Sequence, residues 1–139
     1  MTPLILLPGM MCDARLFEPQ VAALGTGRDV TVAGIDRHNT MAELAQDVLD
    51  TAPPRFALAG LSMGGIVAME VLRRAPERVE RIALMDTNPL AETELVRKRR
   101  GPQMAAAREG RLAEVMRDEM KPHYLRAAAL ADQFGFGKR

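Results

Sequence analysis

The chain has 139 residues, of which 47% are hydrophobic, and its formal net charge is +1 at pH 7. This length supports one domain with a core, and the near-neutral charge gives no reason to expect binding to nucleic acid. No run reaches the ~20 apolar residues of a membrane span, and the opening residues lack the basic segment of a secretory signal. The single cysteine, Cys12, excludes an internal disulfide. We therefore expect a cytoplasmic protein.

The first part of the sequence alternates between short apolar runs and amphipathic stretches, a pattern typical of strands and helices in turn. One helix begins with Thr40-Met41-Ala42-Glu43, which has the spacing of a capping box. Strand, helix and strand in succession form a βαβ unit, so the strands are predicted to be parallel. Strands are predicted over 3–7, 29–35, 56–59 and 81–86, and helices over 16–24, 40–52 and 66–74.

The stretch at the centre of this pattern is Gly60-Leu61-Ser62-Met63-Gly64-Gly65. A strand precedes it and a helix follows it, so Ser62 is predicted at the apex of a tight turn. Such a turn strains the backbone, and it closes only if Gly60 and Gly64 have no side chain. The Ser62 hydroxyl then lies at the N-terminus of the helix, where N–H groups and the helix dipole favour negative charge. These properties suit a nucleophile whose reaction forms an oxyanion.

The G-x-S-x-G turn and an N-terminal strand that ends in Pro8-Gly9-Met10 together resemble the α/β-hydrolase fold superfamily. The similarity is greatest to its small esterase, lactonase and C–C-bond hydrolase branch, although the corresponding loop there usually reads His-Gly-x. The resemblance implies that Ser62 is the nucleophile and that the backbone N–H groups of Met10 and Met63 form the oxyanion hole. The structural alternative is a glycine-rich turn of another α/β protein.

Side chains around this predicted oxyanion hole have two interpretations. No histidine or basic residue lies directly beside Cys12 in the sequence, so we expect a small buried apolar side chain rather than a reactive thiol. The side chains of Met10, Met11 and Met63 either line an irregular apolar pocket or simply fill space in a chain with ten methionines.

A serine nucleophile requires a base and an acid, and the sequence offers three candidates. His38 follows a strand that the family's order places roughly 10 Å from the Ser62 strand, so we expect it to face solvent. His123 lies in the C-terminal segment and could reach the site from there. Asp86 ends the strand beside Ser62. Some lipase-like members take their acid from that position, whereas an aspartate there also commonly caps the following turn.

Beyond Asp86 the sequence is rich in Ala, Glu, Arg, Leu and Met at helical spacing. It resembles the helical cap that many superfamily members insert at this point, so we predict a partial hydrolase core over 1–89 and a cap-like segment over 90–139. The basic run at 97–100 is expected either on a solvated helix face or against an anionic substrate or an acidic partner such as an acyl carrier. Helices are predicted over 90–108, 111–120 and 124–134, with breaks at Gly101-Pro102, Gly110 and Lys121-Pro122.

In the family, the acid and the histidine follow two strands that come after the cap. This sequence has no such strands, so we expect an incomplete core of about four parallel strands. The fourth strand would then be an unpaired apolar edge that is open to self-association.

Two functions from different classes follow from these observations. The first is a serine hydrolase that acts on a small apolar carboxylic ester, thioester or lactone through an acyl-enzyme, with no metal or cofactor. Acyl transfer to an acceptor other than water would use the same residues. The second is a non-catalytic hydrolase fragment or pseudo-enzyme that binds a ligand in its pocket or a partner at its sheet edge.

Overall fold

The structure, a computed structural model, describes residues 1–124, and for the last two of these only the backbone. Contacts divide the chain into two units, Met1–Leu90 and Ala91–Arg139. The sheet lies in the first unit, and the described part of the second unit is helical. The helix predicted over 124–134 lies, apart from Tyr124, outside the described residues.

The first unit is built on a parallel sheet of four described strands, as the sequence predicted. The order across the sheet is β2-β1-β3-β4, so two strands that are distant in sequence, the first and the third, lie side by side at its centre. All three pairings are parallel. The strands are β1 (Leu4–Leu7), β2 (Val30–Val32), β3 (Phe56–Leu61) and β4 (Val79–Met85).

Helices connect the strands within this unit. Thr40 caps the start of the helix α2 (Met41–Thr51). Its hydroxyl oxygen accepts from the Glu43 N–H at 3.2 Å, and the hydroxyl donates to the Glu43 carboxylate at 2.7 Å. The capping spacing read from the sequence therefore marks the start of this helix. The helices are α1 (Glu18–Leu24), which follows a 3-10 turn at Ala14–Phe17, α2 (Met41–Thr51) and α3 (Met63–Arg74).

Two element boundaries of the first unit differ from the prediction by three residues, and the others by fewer. The second strand ends at Val32 rather than at Ile35, although Ile35 is buried against the main core. Apolar periodicity detects burial, and it does not distinguish a buried loop residue from a strand residue. The helix α3 begins at Met63 rather than at Ile66. The low helix propensity of Gly64 and Gly65 led to the later predicted start, whereas in the structure both glycines are buried in the first turn of the helix.

The core of the first unit covers both faces of the sheet. Alternate residues of β3 point to opposite faces, so Phe56 and Leu58 pack in one cluster while Ala57 and Ala59 pack in the other. Side chains of α2 and α3 complete the first and larger cluster, and Phe17 closes the second. The two central strands are thus buried, and the loops that follow them start from a rigid base.

The strand β4 is an edge of the sheet in the described part of the chain, where its pairing partner is β3. The C-terminal end of this strand is apolar and exposed to solvent, since Leu84 is 45% exposed and Met85 is 36% exposed. An apolar edge of this kind exposes backbone N–H and C=O groups to pairing with another chain.

In the second unit, the helix α4 (Glu94–Ala106) runs through Gly101 and Pro102, so the break predicted there is wrong. A proline removes one backbone hydrogen bond, and this part of the helix is exposed, so the freed carbonyl is not buried. The break predicted at Lys121-Pro122 is also wrong, since the backbone is helical on both sides of Lys121. A kink does occur at Gly110, which has φ of 82°. None of the helices described here combines the length and hydropathy of a membrane span.

Candidate active site

Strained backbone marks the edge of the sheet where the strands end. Among the described residues other than glycine, positive φ occurs at Met11 (61°), Ser62 (52°) and Asp86 (44°). These three residues follow β1, β3 and β4, which are neighbours in the sheet. Positive φ is costly for an L-residue, and such residues concentrate at functional sites. The edge at the carboxyl ends of parallel strands is also where open α/β sheets bind ligands.

Ser62 is the one residue between β3 and α3, and it has φ of 52° and ψ of −115°. Its N–H donates to the Met85 carbonyl at 2.9 Å, which continues the pairing with β4 by one residue. Its carbonyl accepts from the Gly65 N–H at 2.9 Å and from the Ile66 N–H at 3.3 Å, which are the first bonds of α3. The strained conformation is therefore held by hydrogen bonds on both sides of the residue.

Two glycines allow this turn to close. A Cβ atom on Gly60 would contact the Gly64 carbonyl oxygen and would lie 2.6 Å from the carbonyl carbon. A Cβ atom on Gly64 would contact the carbonyl oxygens of Leu7 and Pro8, at the end of β1. Each contact is with backbone, which cannot rotate away as a side chain can. The start of α3 thus packs directly on the ends of both central strands.

The loop after β1 lies against the Ser62 turn. A Cβ atom on Gly9 would be 3.6 Å from the Ser62 Cβ, which is ordinary van der Waals contact. The Cys12 N–H donates to the Gly9 carbonyl at 3.1 Å and closes a turn that contains Met10. The fold therefore brings the Met10 loop and the Ser62 turn together, as an oxyanion hole would require.

An exposed ion pair between Asp13 and Arg15 follows this loop. The Asp13 carboxylate accepts from the Arg15 backbone N–H at 3.0 Å and from the Arg15 guanidinium at 2.7–3.0 Å. These hydrogen bonds lower the pKa of the Asp13 carboxyl to about 2. Because the pKa is lowered, the carboxylate stays charged and keeps its bonds well into acidic solution.

The structure distinguishes between the interpretations of three nearby side chains. Cys12 is exposed, so the expectation of a buried side chain is wrong. It lies in the loop after β1, where its sulfur would be 3.8 Å from a Cβ atom on Gly9, and the residue type alone does not reveal this exposed position. Met63 packs against the main core and fills space there, while Met11 is 59% exposed. A backbone N–H role for Met63 does not depend on its side chain.

A cleft of about 280 Å³ opens beside the Ser62 turn, and Asp86 lines it together with Ser62. The sequence predicted that both residues lie at this edge. It did not single out Thr87 or Asn88, which also line the cleft together with Ile66. The signal available was a run of three polar residues directly after a strand, at the edge where a site was expected.

The structure describes the side chain of only one of the two histidines in the sequence. The His38 Nε2 lies 2.8 Å from the Asp47 carboxylate of α2, and its strand, β2, is separated from β3 by β1. This contact directs His38 toward α2 and not toward Ser62. The His123 side chain lies outside the described residues. In the described part of the chain, no group of three or more His, Cys, Asp and Glu side chains is arranged to hold a metal ion.

The four-stranded parallel sheet, with a serine on a strained turn between a central strand and its helix, defines an α/β protein with a turn of the nucleophile-elbow type. Residues 34–134 match the family model described as alpha/beta hydrolase fold. The chain belongs to this family.

Relatives of known name agree with this assignment. The chain is 33% identical over 94 residues to a pimeloyl-(acyl-carrier protein) methyl ester esterase of Klebsiella pneumoniae (strain 342), a match that spans 62% of this chain and 37% of that protein. It is 29% identical over 75 residues to the enzyme of the same name from Nitrosomonas europaea, over 54% of this chain and 27% of that protein. Each match thus spans well under half of the length of the relative.

A solved structure extends the likeness over most of the chain. The enol-lactonase from Burkholderia xenovorans LB400 superposes with a TM-score of 0.80 at 27% identity. The superposition covers 96% of this chain and 55% of that protein. The names of these relatives describe hydrolysis of esters and lactones.

Proposed function

We propose that the chain carries the nucleophile of a serine hydrolase that acts on a small carboxylic ester, thioester or lactone. The observation that carries the proposal is the Ser62 turn, in which a non-glycine residue is held at φ of 52° beside an open cleft. A conformation this costly persists only where the surrounding structure enforces it. The relatives named for ester and lactone hydrolysis support the same bond type.

In this proposal, the Ser62 hydroxyl attacks the carbonyl carbon of the substrate and loses its proton to a base. The tetrahedral intermediate collapses to an acyl-enzyme and expels the alcohol or thiol, and water then releases the acid. No metal or organic cofactor takes part. A small substrate is consistent with the cleft of about 280 Å³, and Ile66 contributes an apolar wall to that cleft.

The oxyanion of the intermediate would be held by the N–H groups of Met10 and Met63. Met63 is the first residue of α3, so its N–H has no acceptor within the helix and is available to a ligand. The Met10 loop packs against the Ser62 turn through Gly9. Removing one such donor in an enzyme of this type costs roughly 100-fold or more in rate.

The sequence offers Ser62 one candidate acid and two candidate bases. Asp86 lines the cleft together with Ser62, which favours it as the acid. The His38 ring contacts the Asp47 carboxylate instead, which disfavours it as the base. His123 stays the other candidate base from the sequence, and the labelling assay below tests it. The exposed free thiol of Cys12 fits a reducing compartment, so a cytoplasmic location belongs to the same proposal.

The test is labelling of the purified chain with a fluorophosphonate probe, which reacts with activated serines. We expect intact-mass spectrometry to show one probe per chain and Ser62→Ala to abolish the label. A folded chain that takes no label would contradict the serine-hydrolase proposal.

Two further variants assign the base in the same assay. We expect His38→Ala to leave labelling unchanged, because the His38 ring contacts α2. Loss of the label in His123→Ala would assign the base to His123. Labelling that survives both substitutions would exclude both histidines as the base.

We propose, as the second candidate, that the edge of β4 binds a partner, with a second copy of the chain as the first case to test. The exposed apolar residues Leu84 and Met85 favour this function.

We expect sedimentation velocity to show concentration-dependent association that Leu84→Lys abolishes, because a charge on an edge strand opposes pairing. The matched control is Leu24→Lys, on α1, where the leucine is 43% exposed. A wild-type chain that stays monomeric, or equal effects of both variants, would contradict this role of β4.

A further inference from the structure

The peptide group that joins Ser62 to Met63 is hydrogen-bonded from outside the turn. Its carbonyl oxygen, which belongs to Ser62, accepts from the Thr87 hydroxyl at 2.8 Å. Thr87 comes from the loop after β4, 25 residues further along the chain. This bond is shorter than the two bonds that the same oxygen accepts from the Gly65 and Ile66 N–H groups.

The position of Thr87 is itself well defined. A Cβ atom on Gly65 would lie 2.6–2.7 Å from three atoms of the Thr87 side chain, so Thr87 occupies the space that the glycine leaves open. Two residues earlier, the Met85 carbonyl accepts from the Ser62 N–H at 2.9 Å. Met85, at the end of β4, therefore accepts from the Ser62 N–H, and Thr87, in the loop that follows, donates to the Ser62 carbonyl.

A peptide group is planar and trans, so its C=O and its N–H point in opposite directions. A bond that fixes the direction of the Ser62 carbonyl therefore also fixes the direction of the Met63 N–H. Hydrogen bonds in a chain polarise one another, so a donor on the carbonyl also makes the N–H of the same peptide a stronger donor. The Thr87 hydroxyl is placed to have both effects.

We propose that Thr87 is a positioning residue for the oxyanion hole, which orients and polarises the peptide whose N–H belongs to Met63. This inference rests on the proposed function, because it assigns Thr87 to the same site. Thr87 does not touch the substrate carbonyl in this role. It acts through the peptide between Ser62 and Met63, and it couples the end of β4 to the reactivity of the serine.

The test compares Thr87→Val, which keeps the shape but loses the hydroxyl, with Thr87→Ser, which keeps the hydroxyl. We expect Thr87→Val to lower the second-order rate of fluorophosphonate labelling by about 10-fold, which is less than loss of an oxyanion donor itself. Thr87→Ser should stay within about 3-fold of the wild type because its hydroxyl preserves the bond. With a chromogenic ester as substrate, Thr87→Val should lower kcat and leave KM unchanged, because the oxyanion exists only after attack.

A second measurement does not depend on the reactivity of Ser62. Amide hydrogen exchange of Gly65 and Ile66 reports on the Ser62 carbonyl, because both N–H groups donate to it. We expect exchange at these two amides to be faster in Thr87→Val than in the wild type and unchanged in Thr87→Ser.

Each outcome decides the inference. Equal labelling and equal exchange in all three proteins would overturn it. Equal losses in both variants would overturn it as well, because Thr87→Ser keeps the hydroxyl and its loss would then come from altered packing rather than from the hydrogen bond. If the wild type takes no label, the serine-hydrolase proposal fails, and exchange alone then decides whether the Thr87 hydroxyl orients this peptide.

Discussion

Replacement of Gly64 by alanine is expected to prevent the first unit from reaching its native structure. The new Cβ would contact the carbonyl oxygens of Leu7 and Pro8, in the most buried part of the sheet. No rotamer change relieves a contact with backbone, so either β1 or α3 must shift. We expect the free energy of unfolding to fall by more than about 4 kcal/mol, which is a large part of the stability of a small domain. Urea unfolding monitored by circular dichroism measures this change.

The matched control is Gly9→Ala, in the loop next to the same turn. A Cβ atom there would meet its nearest neighbours at 3.6–3.8 Å, and the Gly9 backbone is not in the left-handed region. We expect a change in stability of less than about 1 kcal/mol, since a compatible Gly to Ala replacement also restricts the unfolded chain. Equal stability of Gly64→Ala and Gly9→Ala would show that α3 does not pack on β1 as described.

Replacement of Ser62 by glycine is expected to abolish labelling by the fluorophosphonate probe while making the protein more stable. Glycine adopts φ of 52° without strain, whereas a residue with a Cβ atom pays roughly 1–3 kcal/mol for such a conformation. Part of this gain is offset by the greater freedom of glycine in the unfolded chain, so we expect a net increase of about 1 kcal/mol. Thermal and urea unfolding measure the stability, and intact-mass spectrometry measures the label.

The control for this substitution is Ser62→Ala, which removes the hydroxyl and keeps the strained Cβ. It should abolish labelling to the same extent and leave stability within about 0.5 kcal/mol of the wild type. If the glycine variant is no more stable than the alanine variant, the turn stores no strain. If either variant keeps its label, the reactive group is a different residue.

The sequence by itself predicted the parallel sheet and the position of the Ser62 turn. The strands at its centre are short apolar runs that remain buried on both faces, and Gly60 and Gly64 stand where a tight turn excludes side chains. These features are local, because each depends on residue types within a few positions of one another. The capping spacing of Thr40 and Glu43 marks a helix start for the same reason.

Only the tertiary structure decided which distant groups meet at the turn. Thr87 reaches the Ser62 carbonyl because β4 lies beside β3, and Cys12 is exposed in the loop after β1. The contact of His38 with Asp47 likewise depends on the path of the loop between β2 and α2. Contacts of this kind depend on strand order and on the path of the loops. Residue spacing does not encode either of them, whereas it does encode burial and turns.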